Sequence, residues 1–229
     1  LNLEIEEGKL TSVIGPNGAG KTTLFNLITG MIRPDAGRVV FRGEEITGLP
    51  VYQVVRRGIS RSFQVINLFN ELPLYENVWL GVQAQQGHGP EVLTDAFALS
   101  AVKEETDRII GEIGLAGKEN TPVKGLSYGD RRILEITVAL TAKPALLLLD
   151  EPMSGLMPED RTRIAAFMKQ LASRLTLLVV EHAMDVVLSI SDHIVVMHQG
   201  RLLAQGTPEE VRANAQVQEA YLGGQHVSA

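Results

Sequence analysis

The first forty residues alternate between a short apolar run, a polar loop and a helix-like spacing of apolar positions. "KLTSVIG" is rich in β-branched residues and predicts a strand, and "PNGAG" predicts a loop. "KTTLFNLITGM" has the spacing of a helix that ends near Gly30. After the turn "RPDAG", the segment "RVVFRG" predicts a second strand. This alternation indicates an α/β sheet with buried parallel strands.

The middle of the chain has a different pattern. From about Asn70 to Lys143 strand signals are missing, and "EVLTDAFALSAVKEETDRIIGEIGL" predicts helix, with "GHGP" before it as a flexible point. "GISRSFQV" predicts a strand before this region, and "ALLLLD" and "LTLLVVEH" predict strands after it. We therefore predict one domain over 1–229. Its α/β core lobe comprises 1–69 and 144–229, and a helical lobe, 70–143, is inserted between them.

Two local signals stand near the end of the chain. "HIVVMHQGRLLAQG" predicts a hairpin that turns at Gln199 and Gly200. In "TPEEV", Thr207 is suited to the N-cap, Pro208 to the first helical position and Glu210 to the third, which predicts a capping box and a closing helix.

Composition narrows the function classes. The chain has no cysteine, so it has neither a disulfide framework nor a thiol nucleophile, and a reducing compartment suits it. No apolar stretch approaches the roughly 18 residues of a membrane span. The net charge is -6 without a dense basic run, so we expect no nucleic-acid partner. The N-terminus lacks a signal-peptide layout and begins abruptly, as if upstream residues were missing.

"GPNGAGKT" matches the phosphate-binding pattern G-x-x-x-x-G-K-[ST] between a predicted strand and a predicted helix. The glycines let backbone N–H groups surround phosphate oxygens, and the helix N-terminus adds a favourable dipole. Lys21 is expected to reach the β- and γ-phosphates and Thr22 to ligate Mg²⁺. The predicted nucleotide-binding residues here are Gly15, Pro16, Asn17, Gly18, Ala19, Gly20, Lys21, Thr22 and Thr23. We expect the chain to bind a nucleoside triphosphate.

Two more candidate groups follow buried strands. "ALLLLDEP" ends in adjacent carboxylates, of which Asp150 is placed to hold Mg²⁺ and Glu151 to polarise an attacking water as general base. Acidic residues often simply end a strand, but the phosphate-binding loop upstream favours the catalytic interpretation. His182 follows the strand of "LTLLVVEH" and is a candidate γ-phosphate sensor.

"LSYGDRRILEI" combines a helix start with a possible anion site. Ser127 and Asp130 are spaced as a capping box, which predicts a helix over "RRILEITVAL". A helix N-terminus that contains serine and glycine can also bind an anion. Both interpretations hold together.

The order of these motifs resembles the ATP-binding-cassette (ABC) family, over nearly the whole chain. "GPNGAGKT" is similar to its Walker A loop, "LLLLDE" to its Walker B strand and "LSYGD" to its signature motif. Gln64 in "RSFQ" matches the Q-loop glutamine, "SGLMPED" the D-loop region and His182 the switch histidine. The resemblance implies a P-loop NTPase core with a mostly parallel sheet and an inserted α-helical subdomain.

The family likeness also implies how the site is completed. Two ATP molecules would lie between two head-to-tail chains, identical or paralogous. The signature of one chain, Ser127, Tyr128, Gly129 and Asp130, would close over ATP held by the other, with Ser127 and the Gly129 backbone at the γ-phosphate. Gln64 would sense Mg²⁺ and water beside the contact with a membrane-spanning partner. Such a chain would sit in the cytoplasm on the inner face of the membrane.

Three positions depart from the family pattern. Tyr128 and Asp130 replace a glycine and a glutamine of the signature, and Met157 stands where many members carry the D-loop aspartate. The family also has an adenine-stacking aromatic residue upstream of the P-loop, and no aromatic residue precedes Gly15 here.

"GISRSFQVINLF", "ENVWLG" and "MSGLMPED" look most like ATPase subunits of branched-chain amino-acid importers. Such importers also contain permease subunits and an extracytoplasmic solute-binding protein. Importers of urea and other small solutes remain an alternative. A soluble ABC ATPase that acts on nucleic acid or ribosomes and a P-loop switch or small-molecule kinase remain less favoured classes, because no basic face and no N-K-x-D motif occur.

Overall fold

A computed structural model describes residues 1–62, 68–85 and 100–222. The strands are β1 (Leu10–Ile14), β2 (Val40–Phe41), β3 (Glu44–Glu45), β4 (Ile59–Ser62), β5 (Leu146–Asp150), β6 (Thr176–Val180), β7 (His193–His198) and β8 (Arg201–Gly206). The helices are α1 (Lys21–Ile28), α2 (Val51–Arg56), α3 (Leu74–Gln85), α4 (Ser100–Glu112), α5 (Tyr128–Leu140), α6 (Pro158–Ala172), α7 (Met184–Ile190), α8 (Pro208–Ala213) and α9 (Ala215–Leu222). Within these ranges no helix has both the length and the apolar character that a membrane crossing requires.

The main sheet has six strands in the order β4-β5-β6-β1-β7-β8. All neighbouring pairs are parallel except β7 and β8. Every residue of β1, β5 and β6 is buried, which is typical of central parallel strands covered on both faces. The prediction of a mostly parallel α/β sheet is confirmed.

The carboxyl ends of β1, β5 and β6 lie side by side. The register pairs Val13 with Val180, and Val180 with Asp150. The loop after β1 carries the glycine-rich motif, β5 ends at Asp150, and Glu181 and His182 follow β6. Ligands of open parallel sheets bind at this edge, so the topology brings three separate sequence motifs together.

The prediction for "RVVFRG" is wrong in part. Val40–Phe41 forms a strand, but it pairs antiparallel with Glu44–Glu45 in a separate two-stranded sheet. Arg42 and Gly43 both have positive φ, at 48° and 80°, as a two-residue hairpin turn requires. Val40 is 52% exposed, so this strand does not lie in the buried parallel sheet.

Helices α3, α4 and α5 occupy the region for which helix was predicted. The helix expected over "EVLTDAFALSAVKEETDRIIGEIGL" is seen as α4, which ends at Glu112 before Gly114 at φ 66°. Residues 91–99 of that prediction, and "GHGP" at 87–90, lie outside the described residues. Arg174 pairs with Glu112 at 2.6 Å and so joins α4 to the end of α6. The lobe boundaries stay a prediction.

Both local predictions near the end of the chain are confirmed. β7 and β8 form an antiparallel hairpin, and Gln199 and Gly200 between them have φ of 49° and 76°. Thr207 accepts a hydrogen bond from the Glu210 backbone, while the Glu210 side chain accepts one from the Thr207 backbone. Pro208 follows at the first helical position.

Candidate functional site

The glycine-rich loop passes close to β7. A Cβ atom added at Gly15 would lie 2.2 Å from the carbonyl oxygen of Met197, so only glycine fits there. Gly18 and Gly20 have φ of 79° and 97°, a left-handed conformation that glycine adopts without steric cost. The sequence therefore folds this loop tightly against the sheet.

Lys21 is the first residue of α1, and its side chain turns back into the loop. Its ammonium donates hydrogen bonds to the carbonyl oxygens of Gly15, at 2.7 Å, and Pro16, at 3.1 Å. Burial lowers the pKa of Lys21, although the nearby carboxylates of Glu151 and Asp150 oppose that shift. The loop carbonyls and the carboxylates of Asp150 and Glu151 thus all lie near the Lys21 ammonium.

The start of α1 suits a phosphate group. Gly20 occupies the N-cap, and no side chain caps the first N–H groups of the helix. Thr22 and Thr23 are exposed in the first turn. Uncapped N–H groups, a lysine and two hydroxyls form the donor set that a triphosphate requires.

Asp150 is held by Arg61 at the end of β4. Nη2 of Arg61 donates to Oδ2 of Asp150 at 2.6 Å, and the two side chains are 8% and 5% exposed. Nη1 of Arg61 donates to Oδ1 of Asn26 on α1 at 2.7 Å, and the guanidinium lies 5.4 Å from the ring centre of Phe25. One arginine therefore connects β4, β5 and α1.

Thr22 and Asp150 are suitable ligands for a Mg²⁺ ion that is bound together with nucleotide phosphates. Mg²⁺ in such sites takes one or two protein ligands and fills its shell with phosphate oxygens and water. In the described part of the chain, no three or more His, Cys, Asp or Glu side chains form a metal cage of their own. Asp150 and the Thr22 hydroxyl are the donors the protein would supply.

Glu151 and His182 form a pair. Nε2 of His182 lies 2.9 Å from Oε1 of Glu151, and the side chains are 42% and 21% exposed. Glu151 has φ 48°, a left-handed conformation that non-glycine residues seldom adopt and that occurs at functional sites. Its N–H donates to the Val180 carbonyl at 2.9 Å, and its carbonyl accepts from Arg132 at 3.2 Å. Two predicted catalytic residues from different strands are thus in contact.

Gln64, the remaining predicted residue of this group, lies outside the described residues. The described part of the chain before it, β4, ends at Ser62, at the same sheet edge as Asp150. Its role stays a prediction.

The "LSYGD" segment starts α5, as predicted. Ser127 is the N-cap, and its Oγ accepts a hydrogen bond from the Asp130 N–H at 3.1 Å. Tyr128 is 46% exposed. A Cβ atom added at Gly129 would lie 2.3 Å from Oδ1 of Asp160 on α6, so the helix start packs closely on that helix.

Asp130 completes only half of the predicted capping box. Its carboxylate does not return to the Ser127 N–H but lies 2.5 Å from Lys118 and 2.8 Å from Arg163. Burial alone would raise the pKa of Asp130, but hydrogen bonds from Lys118 and Arg163 lower it below its ordinary value. Its side chain therefore anchors α5 inside the protein, and only its backbone belongs to the helix start.

Sequence reasoning missed Arg61, Glu181 and Arg132. Glu181 is 3% exposed and accepts hydrogen bonds from the N–H groups of Met153 and His182. Its signal was present, because an acidic residue at the end of a buried strand is the pattern that singled out Asp150. Arg61 and Arg132 reach the site from β4 and α5, and no local pattern marks them.

Fold and site together define a class. A parallel sheet, a phosphate loop between β1 and α1, and acidic residues that end β5 are the architecture of a P-loop NTPase. His182, which contacts Glu151, and Ser127, which starts α5, are residues that the resemblance to the ABC family singled out in addition to this common architecture.

The chain belongs to the ABC transporter family, whose model matches residues 1–154. A second model, "Branched-chain amino acid ATP-binding cassette transporter", matches residues 201–227. The chain is 41% identical to the high-affinity branched-chain amino acid transport ATP-binding protein BraF of Pseudomonas aeruginosa, over 97% of this chain and 90% of the relative. It is 39% identical to the corresponding LivG protein of Escherichia coli, with the same two shares covered. The predicted family is confirmed.

Solved structures agree with the sequence relatives. The ADP conformation of MJ1267, an ATP-binding cassette of an ABC transporter, superposes with a TM-score of 0.84 at 30% identity and covers 96% of this chain and 90% of that one. A nucleotide-free cassette from an ABC transporter gives a TM-score of 0.82 at 28% identity, with the same coverage. The predicted ABC ATPase fold, and nucleotide as its ligand class, are confirmed.

Proposed function

We propose that this chain is the ATP-binding and ATP-hydrolysing subunit of an importer for branched-chain or other amino acids. The catalytic part rests on one observation, the 2.9 Å contact between Glu151 and His182. The Lys21 ammonium lies at the same sheet edge, near the carboxylates of Glu151 and Asp150. The identity to BraF and LivG supports the cargo.

In this proposal each group has its own task. Lys21 leaves its carbonyl partners in the loop and binds the β- and γ-phosphate oxygens. Glu151 accepts a proton from the attacking water, and His182 contacts the γ-phosphate and Glu151 together. Thr22 and Asp150, with Gln64 as predicted from the sequence, would hold a Mg²⁺ ion, which would neutralise charge on the phosphates. Lys21 and His182 stabilise the charge that develops on the γ-phosphate during hydrolysis.

The signature motif acts on a second chain. Ser127 and Gly129 lie at the start of α5, which is fastened to Lys118 and α6 rather than to the P-loop of its own chain. In a head-to-tail dimer, Ser127 and the Gly129 backbone contact the γ-phosphate on the partner's P-loop. Closure on ATP and reopening after hydrolysis then drive membrane-spanning permease subunits, which receive solute from an extracytoplasmic binding protein. The chain works on the cytoplasmic side of the membrane.

The first test is the mass of Glu151→Gln by light scattering, with and without Mg·ATP. We expect an ATP-dependent dimer, because the change keeps the shape of the side chain. We also expect kcat to fall by about 10²-fold or more, because the change removes the base. Glu209→Gln, an exposed change in the first turn of α8, is the matched control and should turn over normally. Lys21→Ala should lose nucleotide binding or hydrolysis. Normal turnover in Glu151→Gln would exclude the general base.

The cargo has its own test. The chain is assembled with its permease subunits and reconstituted in vesicles. Its ATPase rate is then measured with binding protein loaded with leucine or with urea. Stimulation by leucine supports the amino-acid assignment. Stimulation by urea alone transfers the chain to the small-solute importers and leaves the ATPase assignment intact.

A further inference from the structure

Glu181 is a buried carboxylate that bridges two segments of backbone. Its side chain is 3% exposed and follows directly on β6. Oε1 accepts the N–H of Met153 at 2.8 Å, and Oε2 accepts the N–H of His182 at 2.9 Å. Each oxygen therefore satisfies one backbone donor, and each donor belongs to a different loop.

The two loops carry the two halves of the catalytic pair. Met153 lies two residues after Glu151, in the turn that follows β5, and His182 provides the other side chain of the 2.9 Å contact. A carboxylate that binds both loops sets how far apart their side chains lie. A hydrogen bond from N–H to a charged oxygen is stronger than one to a neutral oxygen, which makes this bridge stiffer than an ordinary turn.

Glu151 needs such external support. Its φ of 48° is unfavourable for a residue with a side chain and persists only where the surroundings fix it. The Val180 carbonyl and the Arg132 guanidinium hold the peptide groups of Glu151 itself. Glu181 holds the chain two residues further on, and it also accepts the N–H of His182.

We propose that Glu181 is a positioning residue for ATP hydrolysis, because it fixes Glu151 and His182 at the separation that the reaction requires. The inference rests on the proposed function, in which Glu151 is the base. The Lys21 ammonium donates to Gly15 and Pro16 and not to Glu181, so we expect ATP binding to change little when Glu181 is altered.

Glu181→Gln is the sharpest change available. It keeps the volume of the side chain but replaces one acceptor oxygen by an NH₂ group, which would face a backbone N–H. One of the two loops must then lose its hydrogen bond and shift. Displacement of a reacting group by about 1 Å lowers rates by about 10²-fold.

Two controls separate positioning from stability. Asp192→Asn makes the same chemical change at the opposite end of the sheet, where Oδ2 accepts the N–H of Leu10. Leu171→Ala opens a cavity at a fully buried position near the end of α6 and lowers Tm without a change at the site. Glu151→Gln is measured alongside.

The experiment compares Tm, Kd for ATP, and kcat and KM of the purified chain for all variants. We expect Glu181→Gln to lower kcat by about 10–100-fold while Kd for ATP stays within about threefold, and both controls to keep kcat. A kcat within about twofold of the wild type overturns the proposal, as does an equal loss in Leu171→Ala. Glu181→Asp, which keeps both oxygens on a shorter stem, decides by the same criteria if the glutamine variant fails to fold. Normal turnover in Glu151→Gln would show instead that the proposed function has failed.

Discussion

Loss of the Arg61 guanidinium should destabilise the protein, because it leaves the Asp150 carboxylate without this ion-pair partner. Bound Mg·ATP should offset part of that loss. The ion pair with Asp150 has a separation of 2.6 Å, with only 8% and 5% of the two side chains exposed. Arg61→Met keeps most of the aliphatic stem but leaves the carboxylate unpaired in the sheet. Breaking a buried pair in this way costs about 3–5 kcal/mol, and for a chain of this size that lowers Tm by roughly 6–20 °C.

An exposed ion pair serves as the control that shows whether the loss of stability comes from burial. Arg57 lies 3.3 Å from Glu44, and those side chains are 36% and 71% exposed. Arg57→Met should therefore cost no more than about 1 kcal/mol. Urea unfolding of both variants, fitted with a common slope, gives the two free energies on one scale.

A double-mutant cycle with Asp150→Asn isolates the pair itself. Once the carboxylate has become an amide, the loss of Arg61 leaves no buried charge, so the double variant should be more stable than the sum of the two single losses predicts. We expect a coupling free energy of about 1.5 kcal/mol or more. Mg·ATP should raise the Tm of Arg61→Met by more than that of the wild type, because the metal supplies positive charge to Asp150. A coupling below about 0.5 kcal/mol, or equal Tm shifts with Mg·ATP, would refute the reasoning.

Two further predictions concern the helices around the site. Hydrogen bonds from Arg108 and then Lys143 lower the pKa of Glu105 to about 2, so its contribution to stability is present above the unfolded pKa near 4.5 and is lost as the pH falls towards 2. Glu105→Gln should cost roughly 1 kcal/mol at pH 7, since both partners are largely exposed, and flatten acid unfolding in that window; an unchanged acid profile contradicts this. Gly129→Ala should cost roughly 1–3 kcal/mol because its Cβ would overlap Asp160, and Asp160→Ala should restore most of that loss in thermal unfolding, whereas no recovery would place the strain elsewhere.

Features fixed by residues close in the sequence could be predicted. The phosphate loop, the strand ends at Asp150 and before His182, and the capping box at Thr207 each depend on a few neighbouring positions. The strand at Val40 was predicted, but its placement in the buried parallel sheet was wrong for a related reason. Its apolar pattern is the same in a buried strand and in an exposed hairpin, and only the turn at Arg42 and Gly43 distinguishes the two.

Contacts between distant residues could not be predicted. Arg61 and Asp150 are 89 positions apart, and Glu181 reaches the Met153 backbone across 28 positions. Nothing in one sequence pairs a particular arginine with a particular carboxylate. The fold does so, because β4 and β5 run in parallel and end at the same edge.

Two of the three departures from the family pattern, Asp130 and Met157, both involve α6. Met157 is the N-cap of that helix and gives no side-chain hydrogen bond, so α6 begins instead with a proline at its first position and two acidic residues in its first turn. Arg163 within α6 pairs with the Asp130 carboxylate of α5 at 2.8 Å, which joins the two helices. A neutral glutamine at position 130 could accept from Lys118 and Arg163 only as an uncharged partner. The aspartate therefore joins α5 to α6 by an ion pair. This contact lies near the start of α6, where Met157 provides no side-chain cap.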